Sequence, residues 1–143
     1  MYHVAILKKS WHLGEKIANG KKIVESRWYK TKHTPWDKIR TGDVIFFKES
    51  GDPVRLKATV KKVDQYKVLN NKYALELMNK YKVADLGTEE ISGVIRNYIT
   101  DKNYAIFVWI ESVEEIIPFR LNKKGFGMQS AWITTGDIER LKI

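Results

Sequence analysis

The stretch Gly20–Trp28 reads GKKIVESRW, and its folding decides the architecture. Ile23 and Val24 suit a buried strand, yet Glu25 and Arg27 stand among them and Lys21 and Lys22 lead in. In a regular strand successive side chains alternate faces, so Ile23, Glu25 and Arg27 share one face and Val24, Ser26 and Trp28 the other. Glu25 and Arg27 are then neighbours, able to pair with each other or to grip one ligand together. Lys22 has the opposite parity and joins them only if the turn after Gly20 swings it round. A charge carried into a core needs a partner, since an unpaired one is strongly destabilising there. The segment is therefore either the floor of a binding site or an ion pair that sets strand register.

Upstream, YHVAILK (Tyr2–Lys8) reads as a first strand. Ser10 can N-cap a short helix, WHLGEKIA, with Leu13 and Ile17 on one face and Asn19-Gly20 as its stop. Downstream, Tyr29–Thr41 is a polar loop in which Pro35 starts at most one helical turn. A Gly-Asp turn then leads into VIFFK, apolar on both faces and so a central strand. Val54, Leu56, Ala58 and Val60 alternate with Arg55, Lys57, Thr59 and Lys61, predicting a strand with one core face and one basic face. Ala74, Leu77, Met78 and Tyr81 keep helical spacing, as do Ile91, Val94, Ile95, Tyr98 and Ile99, with Thr88 as the expected N-cap of the second helix. YAIFVWIESV is a long buried strand that EEIIPFRL continues past a bend at Pro118. Trp109 within it is expected in the core, and Trp11 is expected to pack the first helix. A Gly-punctuated segment and a short helix or strand close the chain. The whole of residues 1–143 reads as one α+β domain of five or six short strands.

Composition narrows the function. The chain has 143 residues, 43% of them hydrophobic, and a net charge of +9. The excess is clustered: Gly20–Arg40 holds seven Lys/Arg against two acids, and Pro53–Lys67 five against one. Such clustering favours a polyanion, nucleic acid first. Lys30, Lys32, Lys38 and Arg40 on the loop, and Arg55, Lys57 and Lys61 on the later strand, suit phosphate contacts. There is no cysteine, and His3, His12 and His33 have no metal-ligand spacing, so no metal is expected. No phosphate loop, dinucleotide fingerprint or nucleophile elbow occurs, and no cofactor is expected. No apolar run is long enough to span a bilayer and the first residues lack a signal-peptide pattern, so the expectation is a cytoplasmic protein without a membrane partner.

The order strand, short helix, GKKIVESR, loop, GDVIFF, amphipathic strand resembles the ASCH domain, a branch of the PUA-like superfamily. The family's G-x-K-x-x-E-x-R motif stands here as Gly20, Lys22, Glu25 and Arg27. TGDVIFF at Thr41–Phe47 and GFGMQSAWI at Gly125–Ile133 resemble later segments of PUA-like barrels, so the likeness spans most of the chain. The resemblance implies a PUA-like small mixed β-barrel flanked by short helices, with the motif on the floor of a cleft that binds RNA or modified nucleosides. It implies Lys22, Glu25 and Arg27 as ligand contacts, with Trp28 and Trp132 as aromatic walls on which a base could stack. An enzyme in the same cleft, an amidohydrolase or ribonuclease with Lys22 and Glu25 central, is the alternative. The acetylcytidine amidohydrolase branch, however, carries a Thr nucleophile where Glu25 stands, and is more compact. A regulatory domain for a small anionic metabolite is the third reading.

Overall fold

The computed structural model describes residues 1–127 and 130–143. Six strands form one mixed sheet: β1 (Tyr2–Leu7), β2 (Val24–Tyr29), β3 (Val44–Glu49), β4 (Val54–Lys67), β5 (Tyr104–Phe119) and β6 (Trp132–Thr135). Three helices accompany them: α1 (Leu13–Ala18), α2 (Asn71–Leu86) and α3 (Gly93–Ile99). The spatial order is β2-β5-β4-β3-β1-β6, with β1 and β3 parallel and the other pairs antiparallel. The sheet curls into a half-barrel, the α+β architecture expected.

Alternation along the strands builds the core on both faces. Leu56, Ala58 and Val60 of β4 join Ile45 and Phe47 of β3, Ile106, Val108 and Ile110 of β5, and Leu13 and Ile17 of α1. On the other face Val24 and Trp28 of β2 and Ala105 and Phe107 of β5 pack against Ala74, Leu77, Met78 and Tyr81 of α2. A third cluster sets Val4, Phe46, Val54 and Ile133 under the C-terminal turn at Leu141. VIFFK is central, as its two apolar faces require, because β3 lies between β4 and β1.

Several local expectations are corrected. Ser10 caps nothing. It lies inside a 3-10 turn, Lys9–Trp11, and α1 starts after His12, whose backbone is left-handed (φ 53°). The N-cap of α3 is Ser92, whose side chain accepts from the Ile95 amide, whereas the Thr88 hydroxyl donates to the Glu90 carbonyl. The polar loop between the two helices offers several cap residues, and with the cap at Ser92 the helix begins at Gly93 and leaves Ile91 outside it. β5 runs through Pro118 to Phe119, with a positive φ at Ser112 (54°) and register shifts against β4. Ile23 is 43% exposed because it precedes β2. Trp109 is only half-buried, its indole N–H donating to Asp64 at 3.0 Å. Trp11 packs on the main core and meets Tyr98 edge-on, 5.4 Å between ring centres.

Candidate functional site

The turn at Gly20 (φ 81°) does what the parity problem required. It leads the chain past the C-terminus of α2 and brings Lys22 under β2. The last carbonyls of a helix lack intrahelical partners and carry its negative dipole end. Here Ile23 N–H donates to Ala84 O at 2.8 Å, Lys22 Nζ to Asp85 O at 2.8 Å, and Lys16 Nζ to Leu86 O at 2.7 Å. Lys22 also donates to Val24 O at 2.6 Å and to the Asp85 carboxylate. Its three ammonium hydrogens are thus matched by three protein acceptors.

Glu25 lies 3.6 Å from Lys22 Nζ through one carboxylate oxygen and 3.8 Å from Arg27 Nη2 through the other. Lys22, Glu25, Arg27 and Asp85 are all buried. Asp85 also accepts from Ser26 Oγ at 2.5 Å, and Ser26 Oγ accepts from Trp28 Nε1 at 3.2 Å. The motif therefore forms a buried cluster of two cations and two anions, with no net charge.

Arg27 has a further structural task. β2 is one edge of the curled sheet, and β6 is the other, next to β1. From the first edge Arg27 Nη2 donates to Ile6 O at 3.1 Å and Nη1 to Ala131 O at 3.3 Å. The guanidinium sits over the Trp132 ring, 5.1 Å from its centre. Arg27 thus fastens the seam where the half-barrel's edges do not pair.

A cavity of about 200 Å³ opens at that seam. Glu25, Ser26, Arg27 and Asp85, together with the exposed Lys8, supply its polar wall. Trp11, Leu13, Trp28, Met78, Ile95, Tyr98 and Ile99 supply the apolar one. A groove of about 550 Å³ shares Trp11, Leu13, Leu86 and Ile95 with it and carries Glu89 and Glu90. Burial pushes the Tyr98 phenol up, and burial pushes Tyr29, beside Arg27, up to about 12, so both are neutral hydroxyls at physiological pH. Two buried polar atoms on the cavity residues, Glu25 Oε2 and Arg27 Nε, have no hydrogen-bond partner among the described residues.

The structure thus brings Lys22, Glu25 and Arg27 together, but only Glu25 and Arg27 line the cavity. Lys22 lies behind them as a helix cap. Trp28 and Trp132 are 2% and 4% exposed, so neither offers an open face to a base from solvent. Trp28 contributes to the cavity wall, and Trp132 supports Arg27 from outside it. None of the seven cations proposed for phosphate lines the cavity. Lys30, Lys32, Lys38, Arg40, Arg55 and Lys61 are exposed, and Lys57 pairs with Glu114 at 2.9 Å. The acids Glu111, Glu114 and Glu115 of β5 stand opposite Thr59, Lys57 and Leu56, which offsets the basic face of β4. In the closing segment GFGMQSAWI, Met128 and Gln129 lie outside the described residues. Asp85 was missed by sequence reasoning. Its signal was present, since it extends the stripe of Ala74, Leu77, Met78 and Tyr81 by one helical step and puts a carboxylate at a core position.

This fold is shared with solved structures of ASCH-domain proteins. The chain is similar to the crystal structure of ASCH from Zymomonas mobilis, with a TM-score of 0.67, 18% identity, and coverage of 97% of this chain and 90% of that one. A single-residue variant of that protein gives 0.69 at the same identity, covering 97% and 93%. The hypothetical protein PH0355 matches at 0.53 with 22% identity, covering 81% of this chain and all of that one. No family model and no curated protein matches the sequence. No helix among the described residues is long and apolar enough to cross a membrane.

Proposed function

We propose that the chain binds a neutral nucleobase, free in a nucleoside or turned out of an RNA strand, in the cavity at the barrel seam. The observation that carries this is that two buried atoms, Glu25 Oε2 and Arg27 Nε, have no hydrogen bond among the described residues and belong to residues that line a cavity of about 200 Å³. Buried polar atoms in folded proteins are almost always satisfied, and an exception on a cavity wall points to a ligand or water that completes it. A carboxylate oxygen asks for an N–H donor, such as the amino edge of a base. The apolar and aromatic walls suit a flat ring, and a cavity of about 150 Å³ is already enough to hold benzene. The adjoining groove gives room for the sugar.

Charge decides between this reading and a site for an anionic metabolite. Lys22, Glu25, Arg27 and Asp85 already balance. A phosphate or carboxylate inserted beside them would add negative charge next to two buried carboxylates, with only the exposed Lys8 among the other lining residues to offset it, which is unfavourable. A neutral ring with donor groups leaves the balance untouched. Lys22 has no ammonium hydrogen left over, so the pair proposed for catalysis has lost one member to the fold. That favours recognition over turnover. The shared ASCH fold agrees with an RNA-binding role, and the exposed Lys30 and Lys32 would contact the backbone of a longer strand.

The test is calorimetric titration of nucleosides, short single-stranded RNAs, phosphate and simple carboxylates into the wild type and Glu25→Gln. A hydrogen bond to a charged group contributes about 1.5–3 kcal/mol. Glu25→Gln is therefore expected to weaken nucleoside binding roughly 10- to 100-fold while the protein stays folded. Binding of phosphate or carboxylate ahead of every nucleoside would refute the proposal.

A further inference from the structure

His3 is fully buried on β1, away from the cavity, and its two ring nitrogens have different duties. Trp132 Nε1 lies 3.2 Å from His3 Nδ1, and Thr134 Oγ1 lies 2.9 Å from the same atom. His3 Nε2 lies 2.8 Å from Asp43 Oδ2. An indole nitrogen can only donate, so Nδ1 must be the acceptor and Nε2 must carry the hydrogen, given to Asp43. The imidazole is neutral in this arrangement. Trp132, held through its N–H, presents its ring to the Arg27 guanidinium at 5.1 Å. Arg27 in turn stands 3.8 Å from Glu25 and lines the cavity.

We infer that His3 is a positioning residue for the cavity, acting through Trp132 on Arg27, and that protonation of its Nδ1 loosens ligand binding. The inference rests on the reading of the cavity as a binding site. A proton on Nδ1 sets two donors, Nδ1–H and Nε1–H, against each other. The new hydrogen can turn to Thr134 Oγ1, but the Trp132 N–H is then left buried without an acceptor, and the ring that carries Arg27 is no longer pinned. The charged groups around His3 are Asp43, which favours the protonated form, and the N-terminal amine, which opposes it and itself lies 3.3 Å from Asp43. Burial outweighs the carboxylate and holds the His3 pKa below its ordinary 6.5. Above that range the arrangement is intact, and the change comes on acidification.

Two substitutions separate the nitrogens. His3→Asn keeps an acceptor where Nδ1 stands, whereas His3→Gln keeps only the donor toward Asp43. The first readout needs no ligand: the Trp132 indole N–H and the Arg27 Nε–H are followed by NMR as pH falls from about 7.5 to 4.5. Both resonances are expected to shift with one midpoint below 6.5 in the wild type, and neither to titrate there in His3→Asn. The second readout is the dissociation constant of cytidine and adenosine across the same range. Weakening of about tenfold on acidification is expected for the wild type, the scale set by leaving one buried donor unpaired. His3→Asn should bind more tightly than His3→Gln, with no acid step. Titration of His3 without response at Arg27, or equal affinity of the two variants, would overturn the inference. A coupled NMR response without binding of either nucleoside would uphold the link from His3 to Arg27 and instead refute the nucleoside reading.

Discussion

Lys22→Met tests whether Lys22 belongs to the fold or to the ligand. The substitution keeps most of the apolar stem and removes the ammonium. It strands Val24 O and Asp85 O, which accept from Nζ at 2.6 and 2.8 Å, and it leaves the Asp85 carboxylate with Ser26 Oγ as its remaining hydrogen-bond donor among the described residues. Breaking a buried ion pair from one side costs about 3–5 kcal/mol, because the other charge stays behind. Small domains have only about 5–15 kcal/mol in total. The melting temperature should therefore fall by roughly 10 °C, at about 2–4 °C per kcal/mol for a chain near this length. The double change Lys22→Met with Asp85→Leu removes both charges and leaves Glu25 and Arg27 balanced. It should be less destabilised than the sum of the singles by about 1–3 kcal/mol, the usual size of coupling between contacting residues. Urea denaturation of the four proteins gives the cycle. A single-variant cost below about 1 kcal/mol, or strict additivity, would refute the helix-cap assignment and return Lys22 to the proposed ligand site.

Acid should act on stability in two windows. The His3 pKa is held below 6.5 by burial, so its contribution is complete above 6.5 and is lost as pH falls from there through the folded value. Burial pushes Asp43 up, but its bonds from His3, the Arg40 amide and the N-terminus outweigh this and leave it below 3.8, so its contribution is lost only as pH falls below that. Urea midpoints measured at pH 7.5, 5 and 3 should decline in both steps, and His3→Asn should lack the first. If the chain binds single-stranded RNA, replacing Lys30 and Lys32 by Gln should flatten the slope of log affinity against log salt by about 0.7 for each phosphate no longer neutralised. Lys57→Gln should change that slope less, since Glu114 already holds its ammonium at 2.9 Å; fluorescence anisotropy across a salt series reads both, and an equal effect of Lys57 would contradict the pairing.

The legible and illegible parts of this molecule divide by the range of the interaction. Alternation in Val54–Val60 and the spacing of Ala74–Tyr81 are local, and each side chain's neighbours along its own element determine its face. Those elements fold as their patterns imply. The caps of α1 and α3 escape a local reading because several polar residues stand before each helix, and each helix starts later than its apolar spacing implies, at Leu13 and Gly93. The motif Gly20–Arg27 was legible as a concentration of charge, but its division of labour was not. Lys22 and Glu25 are three residues apart and look like one catalytic pair. What separates them is Asp85, 63 residues from Lys22, on a helix whose C-terminus needs a cation. Once Asp85 takes Lys22, Glu25 is left with ion pairs at 3.6 and 3.8 Å and no hydrogen bond on Oε2. Lys22 faces Oε1, whereas Oε2 lies toward the Arg27 guanidinium, whose Nη1 and Nη2 donate across the seam to Ala131 O and Ile6 O, so this division of the cluster rests on contacts distant in sequence. Reading it from sequence would require treating the carboxylate on the apolar stripe of α2 as the natural partner of the first buried lysine, and only then asking which charge remains for a ligand.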